Sequence, residues 1–147
     1  MHRRRRSLLP LFALCAAALS PVAGLAADTA PPLRLELNRL EAREAGCRVW
    51  LVLGNPAPEA LDPLRVDLVL FGRDGVVARR LAVDLGPLPA QKTTARIFDV
   101  TGLPCDAIGS VLLNDILVCG GDDPEVRAAC IARAALSSRA EHVPFEK

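Results

Sequence analysis

The sequence predicts a mainly β protein, an immunoglobulin-like antiparallel β-sandwich with a short C-terminal α-helix. Three observations carry this reading. Apolar and polar residues alternate with period two in six or seven short segments, Pro- and Gly-rich turns separate those segments at roughly ten-residue spacing, and only after Gly121 does the apolar period lengthen to that of a helix.

The elements follow in order. A Pro-broken leader, residues 28–32, enters a stretch where Leu33, Leu35 and Leu37 alternate with Arg34, Glu36 and Asn38, the pattern of a half-buried strand. Cys47, Val49, Leu51 and Leu53 then share one face of the next strand, with Arg48, Trp50 and Val52 on the other. Gly54-Asn55 and three prolines forbid a continuing ladder, so residues 54–63 read as a loop. Leu64, Val66, Leu68 and Leu70 point inward from a third strand, and Gly72-Arg73-Asp74-Gly75 turns it back into a strand over 76–85. Residues 86–91 are a loop, 93–100 a strand, 101–106 a turn carrying Cys105, and 108–119 the last strand. Asp123 is a good N-cap, Pro124 suits the first helical position and Glu125 favours the positive helix end. Val126, Cys130 and Ala134 recur at four-residue steps, which places Cys130 on an apolar helix face. The predicted organisation is a sandwich domain over 28–140, its helix starting near 124, followed by a flexible tail over 141–147 in which Phe145 is the one anchor.

Residues 1–27 read as a secretory signal peptide: Arg3 to Arg6 supply the positive end, Leu8 to Ala27 the apolar run, and Gly24-Leu25-Ala26 the small residues for cleavage at Ala26 or Ala27. The segment Arg5-Arg6-Ser7-Leu8-Leu9 also fits a twin-arginine motif, so the reading leaves Sec and Tat export open. Either route implies a periplasmic protein with no membrane span once the signal is removed. In such a compartment the four remaining cysteines are expected as disulfides. Cys119 ends the last strand and Cys130 lies on the helix that packs back over the sheet, so those two are expected to pair, leaving Cys47 with Cys105.

Composition excludes several functions. Loss of the signal removes four of the 18 basic residues and none of the 17 acidic ones, for a net charge of −3, which is no footprint for nucleic acid. Trp50, Phe71, Phe98 and Phe145 are the only aromatics beyond the signal, too few for a sugar-stacking platform. His142 is the one histidine there, four residues after Ser138, so a catalytic triad or multi-histidine metal site has little to use. No CxxC occurs, and the only methionine is Met1. Catalytic residues, metal ligands and cofactors are therefore expected to be none. Three polar spots remain. Asn114-Asp115, inside an apolar strand, must place one polar group inward or into an edge groove; Asp122-Asp123 belongs to the helix cap; Arg79-Arg80 suits a solvated strand edge.

The run from Leu51 to Val100, with a strand ending in Asn55, the Phe71-Gly72-Arg73-Asp74-Gly75 turn and the Gly86-Pro87-Leu88-Pro89 linker, resembles small exported bacterial sandwich domains related to fibronectin type III and FxLYD-like modules. With Val111 to Asp115 and the paired cysteines, it resembles more narrowly an uncharacterised small periplasmic bacterial family known by its Tat-type signal sequence. What that resemblance implies is fold and export, since its motifs are turn and strand chemistry. The expectation is a non-enzymatic binding or accessory module whose partner is another envelope protein. A structural or stress-protective envelope protein, and a carboxylate-based hydrolase, are the alternatives, and the oligomeric state is left open.

Overall fold

A computed structural model describes residues 30–147. The expected signal peptide, its expected cleavage junction and the first leader residues lie outside the described residues. Two four-stranded sheets face each other as a sandwich. The first runs β5 (Lys92–Thr101), β2 (Gly46–Asn55), β1 (Leu33–Arg43), β7 (Ala134–Ser138), and the second β4 (Val77–Asp84), β3 (Leu64–Gly72), β6 (Ile108–Cys119), β8 (Phe145–Glu146). One turn of 3-10 helix, Cys105–Ala107, precedes β6, and α1 (Pro124–Arg133) follows it.

Alternation dictates the interior. The inward leucines and valines named from the sequence on β1, β2 and β3 are all buried, and Ile108, Val111, Leu113 and Ile116 of β6 meet them from the second sheet. The core is thus aliphatic, with Phe145 its one buried aromatic. At the β1–β2 hairpin only glycine fits position 46: φ is +150°, and a Cβ would stand 2.1 Å from the Val100 carbonyl oxygen. The predicted hairpin turn is present, with Gly75 at φ +78° and the Gly72 amide donating to the Val76 carbonyl at 2.8 Å. The two Pro-rich loops are not independent: Leu61 and Leu88 exchange backbone hydrogen bonds, both 2.9 Å, and bury their side chains together.

Three expectations change at the C-terminal end. The helix stops at Arg133, and Ala134 to Ser138 form a strand parallel to Leu33 to Leu37. An alanine-rich segment with helical propensity becomes a strand because β1 presents an unpaired edge whose backbone groups it satisfies. Val126, expected on the buried helix face with Cys130, is exposed, and Ala134 is buried as a strand residue. The tail expected to be flexible is docked instead: Val143 and Phe145 are buried, and β8 pairs in parallel with β6. Lys147 closes this end, its Nζ donating to the Ile131, Ala132 and Ala134 carbonyls at 3.1, 3.3 and 2.6 Å, where the helix leaves carbonyls without partners. The inner ladders are antiparallel as expected, and the two parallel pairs are these C-terminal additions.

Cys47 is bonded to Cys105, which ties the first sheet to the turn entering the second, and Cys119 is bonded to Cys130, which ties α1 to the end of β6. Each loop closure contributes about 2–4 kcal/mol by restricting the unfolded chain. Replacing Cys47 and Cys105 together by Ala is expected to lower the melting temperature by ten degrees or more, read by circular dichroism, with the strand signal kept at low temperature; an unchanged melt would show that the cross-link adds nothing to the aliphatic interlayer.

Candidate functional site

Two of the three polar spots marked in the sequence meet in space, on a residue the sequence did not single out. Asp67 of β3 faces outward from the second sheet yet is only 3 % exposed, because neighbouring side chains close over it. Arg80 of β4 grips it from one side, with Nε donating to the two carboxylate oxygens at 3.0 and 3.1 Å and Nη2 to Oδ2 at 2.8 Å. Asn114 of β6 reaches it from the other, Nδ2 to Oδ2 at 2.5 Å. Asp115 lies directly across the ladder from Asp67.

Of the two placements expected for Asn114 or Asp115, inward or into an edge groove, the inward one is corrected: Asn114 is exposed and Asp115 half-buried, and the buried polar residues are Asp67 and Asn55. The reason is a mismatch of length between paired strands. Along β6 the register against β3 slips three times, leaving Gly109, Asn114 and Leu117 as extra residues. Each bulge resets the period-two parity, so counting along the strand misassigns the faces beyond it. The bulge at Asn114 aims its amide at Asp67.

The electrostatics follow. The Arg80 hydrogen bonds hold the Asp67 carboxyl below its ordinary value, Asn114 adds to this, and burial works against both. On the first sheet, Arg48 and Asp99 form a two-point ion pair at 2.8 and 3.0 Å, and Trp50 donates Nε1–H to Glu41 at 3.1 Å. Glu41 is lowered chiefly by that indole and Asp99 by Arg48. These groups are spent on one another across strands, and the arrangement braces the outer sheet faces.

Asn55, the second buried polar residue, ties the first Pro-rich loop. Its Nδ2 donates to the Glu59 and Pro89 carbonyls at 2.7 and 3.3 Å, and Oδ1 accepts from the Ala57 amide at 3.2 Å. The side chain thus stands in for a backbone turn, a role readable from an Asn followed by Pro. Arg79 is no free edge charge either: its Nη2 donates to the Thr101 carbonyl at 3.0 Å, clasping β4 to the end of β5. Asp123 caps α1 through Oδ1, which accepts from the Glu125 and Val126 amides at 2.8 and 3.3 Å. The Ser138 hydroxyl donates to the Val143 carbonyl at 2.6 Å, so it folds the tail turn. Among the described residues no three His, Cys, Asp or Glu side chains gather closely enough to hold a metal ion.

The apolar counterpart lies at the tip of the β3–β4 hairpin. Val76 and Val77, 62 % and 56 % exposed, line a groove of about 490 Å³ with Ala78, Leu103 and Ala107, and Arg73 and Asp74 contribute its charged lining. They are the two most exposed large hydrophobic residues among the described ones. The turn closed by the Gly72 amide on the Val76 carbonyl puts them at the hairpin tip, and the first four residues of β4 are all exposed.

Two outcomes test the polar assignments. Because the folded carboxyl is lowered, the Asp67 pair stabilises above the ordinary aspartate range near pH 4 and is lost as pH falls through the folded value. Asp67→Asn is expected to melt below the parent at pH 7 and to approach it as the pH drops toward 3; a constant gap would show that the charge is not what Arg80 and Asn114 hold. Asn55→Ala is expected to cost about 1–3 kcal/mol by leaving buried backbone groups unpaired, measured by urea unfolding. No family model, curated protein or solved structure matches the chain.

Proposed function

We propose that this chain is an exported, non-catalytic binding or accessory module of the periplasm, and that it holds an envelope protein at the hairpin groove. The observation that carries the reading is the gathering of Val76, Val77, Leu103 and Ala107 into one exposed apolar groove. A contiguous apolar patch with a polar rim is what a protein-docking surface presents. The two disulfides support export, since such bonds persist in oxidising compartments. The organised polar groups support a role without catalysis: Asp67, Arg80 and Asn114 satisfy one another, as do Arg48 with Asp99 and Glu41 with Trp50. No helix among the described residues is long and apolar enough to cross a membrane.

A photo-cross-linking residue placed at Val77 is expected to capture one protein at fixed stoichiometry in intact cells, and the double variant Val76→Asp, Val77→Asp to abolish co-purification of that protein while leaving the melt unchanged. Co-purification that ignores the double variant, or equal capture from a probe at Ala135 on β7, would overturn the reading.

A further inference from the structure

The sandwich is closed on one side and open on the other. β7 and β8 pack against each other, and on β5 the Ala95 and Thr101 carbonyls already accept from Arg96 and Arg79. β4, like β5, pairs on one side only, with β3, and it is the edge whose residue sequence is self-complementary. The Leu85 amide donates to the Leu64 carbonyl at 2.8 Å, and alternation along an antiparallel strand then turns the backbone groups of Val83, Leu81 and Arg79 toward β3. Arg80, Ala82 and Asp84 present theirs to solvent. Proteins guard such an edge with free charges, prolines or bulges. Over Arg79–Asp84 there is no proline and no bulge; Arg79 is held on Thr101, and Arg80 and Asp84, in contact with Asp67 and with Arg65 at 3.6 Å, are opposite charges that keep exposed atoms for a second partner.

We propose that this edge pairs with the same edge of a second copy, antiparallel about a two-fold axis at Ala82, joining the two β4-bearing sheets into one continuous sheet. The sequence of the edge selects both the occupant and the register. With Ala82 opposite Ala82, Arg80 falls opposite Asp84 of the second copy on both sides of the axis, and Leu81 falls opposite Val83 on the inner face. Within residues 80–84 every pair is then matched in charge or polarity. A two-fold axis at Arg80 sets like charges against each other, and one at Leu81 sets Arg80 opposite Ala82 with no partner for its charge; opposite charges across strands stabilise and like charges do the reverse. The side chains are free to comply. Asp84 is 76 % exposed and Arg80 66 %, and Arg80 spends only Nε and Nη2 on Asp67. A single strand pairing buries little surface, so the dimer is expected to be weak and concentration-dependent.

Analytical ultracentrifugation of the protein recovered from cells expressing the full chain tests this. A reversible monomer–dimer equilibrium is expected, and Asp84→Arg, which sets arginine opposite arginine twice, is expected to weaken it about tenfold or more. Ala82→Cys places a thiol on the axis and is expected to yield a covalent dimer under mild oxidation, whereas Ala135→Cys is not. A parent that stays monomeric at all concentrations, a dimer indifferent to Asp84→Arg, or no covalent dimer from Ala82→Cys would overturn the proposal; if Asp84→Arg lowers the melt, Ala82→Cys decides. Pairing at β4 leaves the Val76–Val77 groove outside the matched residues. Loss of the dimer with partner capture retained, or the reverse, therefore separates this proposal from the proposed function.

Discussion

The constraint on which the rest depends is the leucine interlayer between the two sheets. Leu33, Leu35 and Leu37 on β1, Leu51 and Leu53 on β2 and Leu64, Leu68 and Leu70 on β3 are all fully buried, and Ile108 and Ile116 on β6 are buried with them. At about 25 cal/mol per Å² of apolar surface, burial of these side chains is the main favourable term, and it demands that each strand keep one face clean. The polar residues are consequently forced to the outer faces, the edges and the loops, where each must find its own partner.

Those partners explain the architecture outside the interlayer. Asp67 is buried on an outer face, which is tolerable because Arg80 and Asn114 satisfy it from the strands on both sides. Asn55 does the same for a loop that crosses the end of the sandwich. The disulfides add to the interlayer: Cys47–Cys105 links the first sheet to the turn entering the second, and Cys119–Cys130 anchors a helix whose exposed Val126 shows that it contributes little apolar burial of its own.

The C-terminal segment converts an open sandwich into one with a closed side. β7 covers the edge of β1, β8 covers β6, and Lys147 caps the helix between them. The opposite side receives no such cover, and there the arginines of β4 and β5 are turned to internal contacts. An asymmetry of this kind concentrates the available backbone and apolar groups at β4 and its hairpin. That is the physical basis on which both the groove and the edge are proposed as binding surfaces.

Strand identity was legible in the sequence because period-two alternation is a local property: the inward faces of β1, β2 and β3, the Asp74-Gly75 turn and the Asp123-Pro124 helix start all stand where the residues alone put them. The role of the four cysteines as cross-links was legible from their spacing relative to the strands and the helix. The strand at Ala134–Ser138 was not, because its alanines favour helix and only the vacant edge of β1 outweighs that preference. Nor was the Asp67 cluster, because the three register slips of β6 against β3 are set by pairing between distant segments. Local pattern, in short range, determined which residues are strand and which face is apolar; the meeting of Asp67, Arg80 and Asn114, the docking of the tail and the openness of β4 were decided by tertiary structure, since each depends on which edge or bulge a distant strand presents.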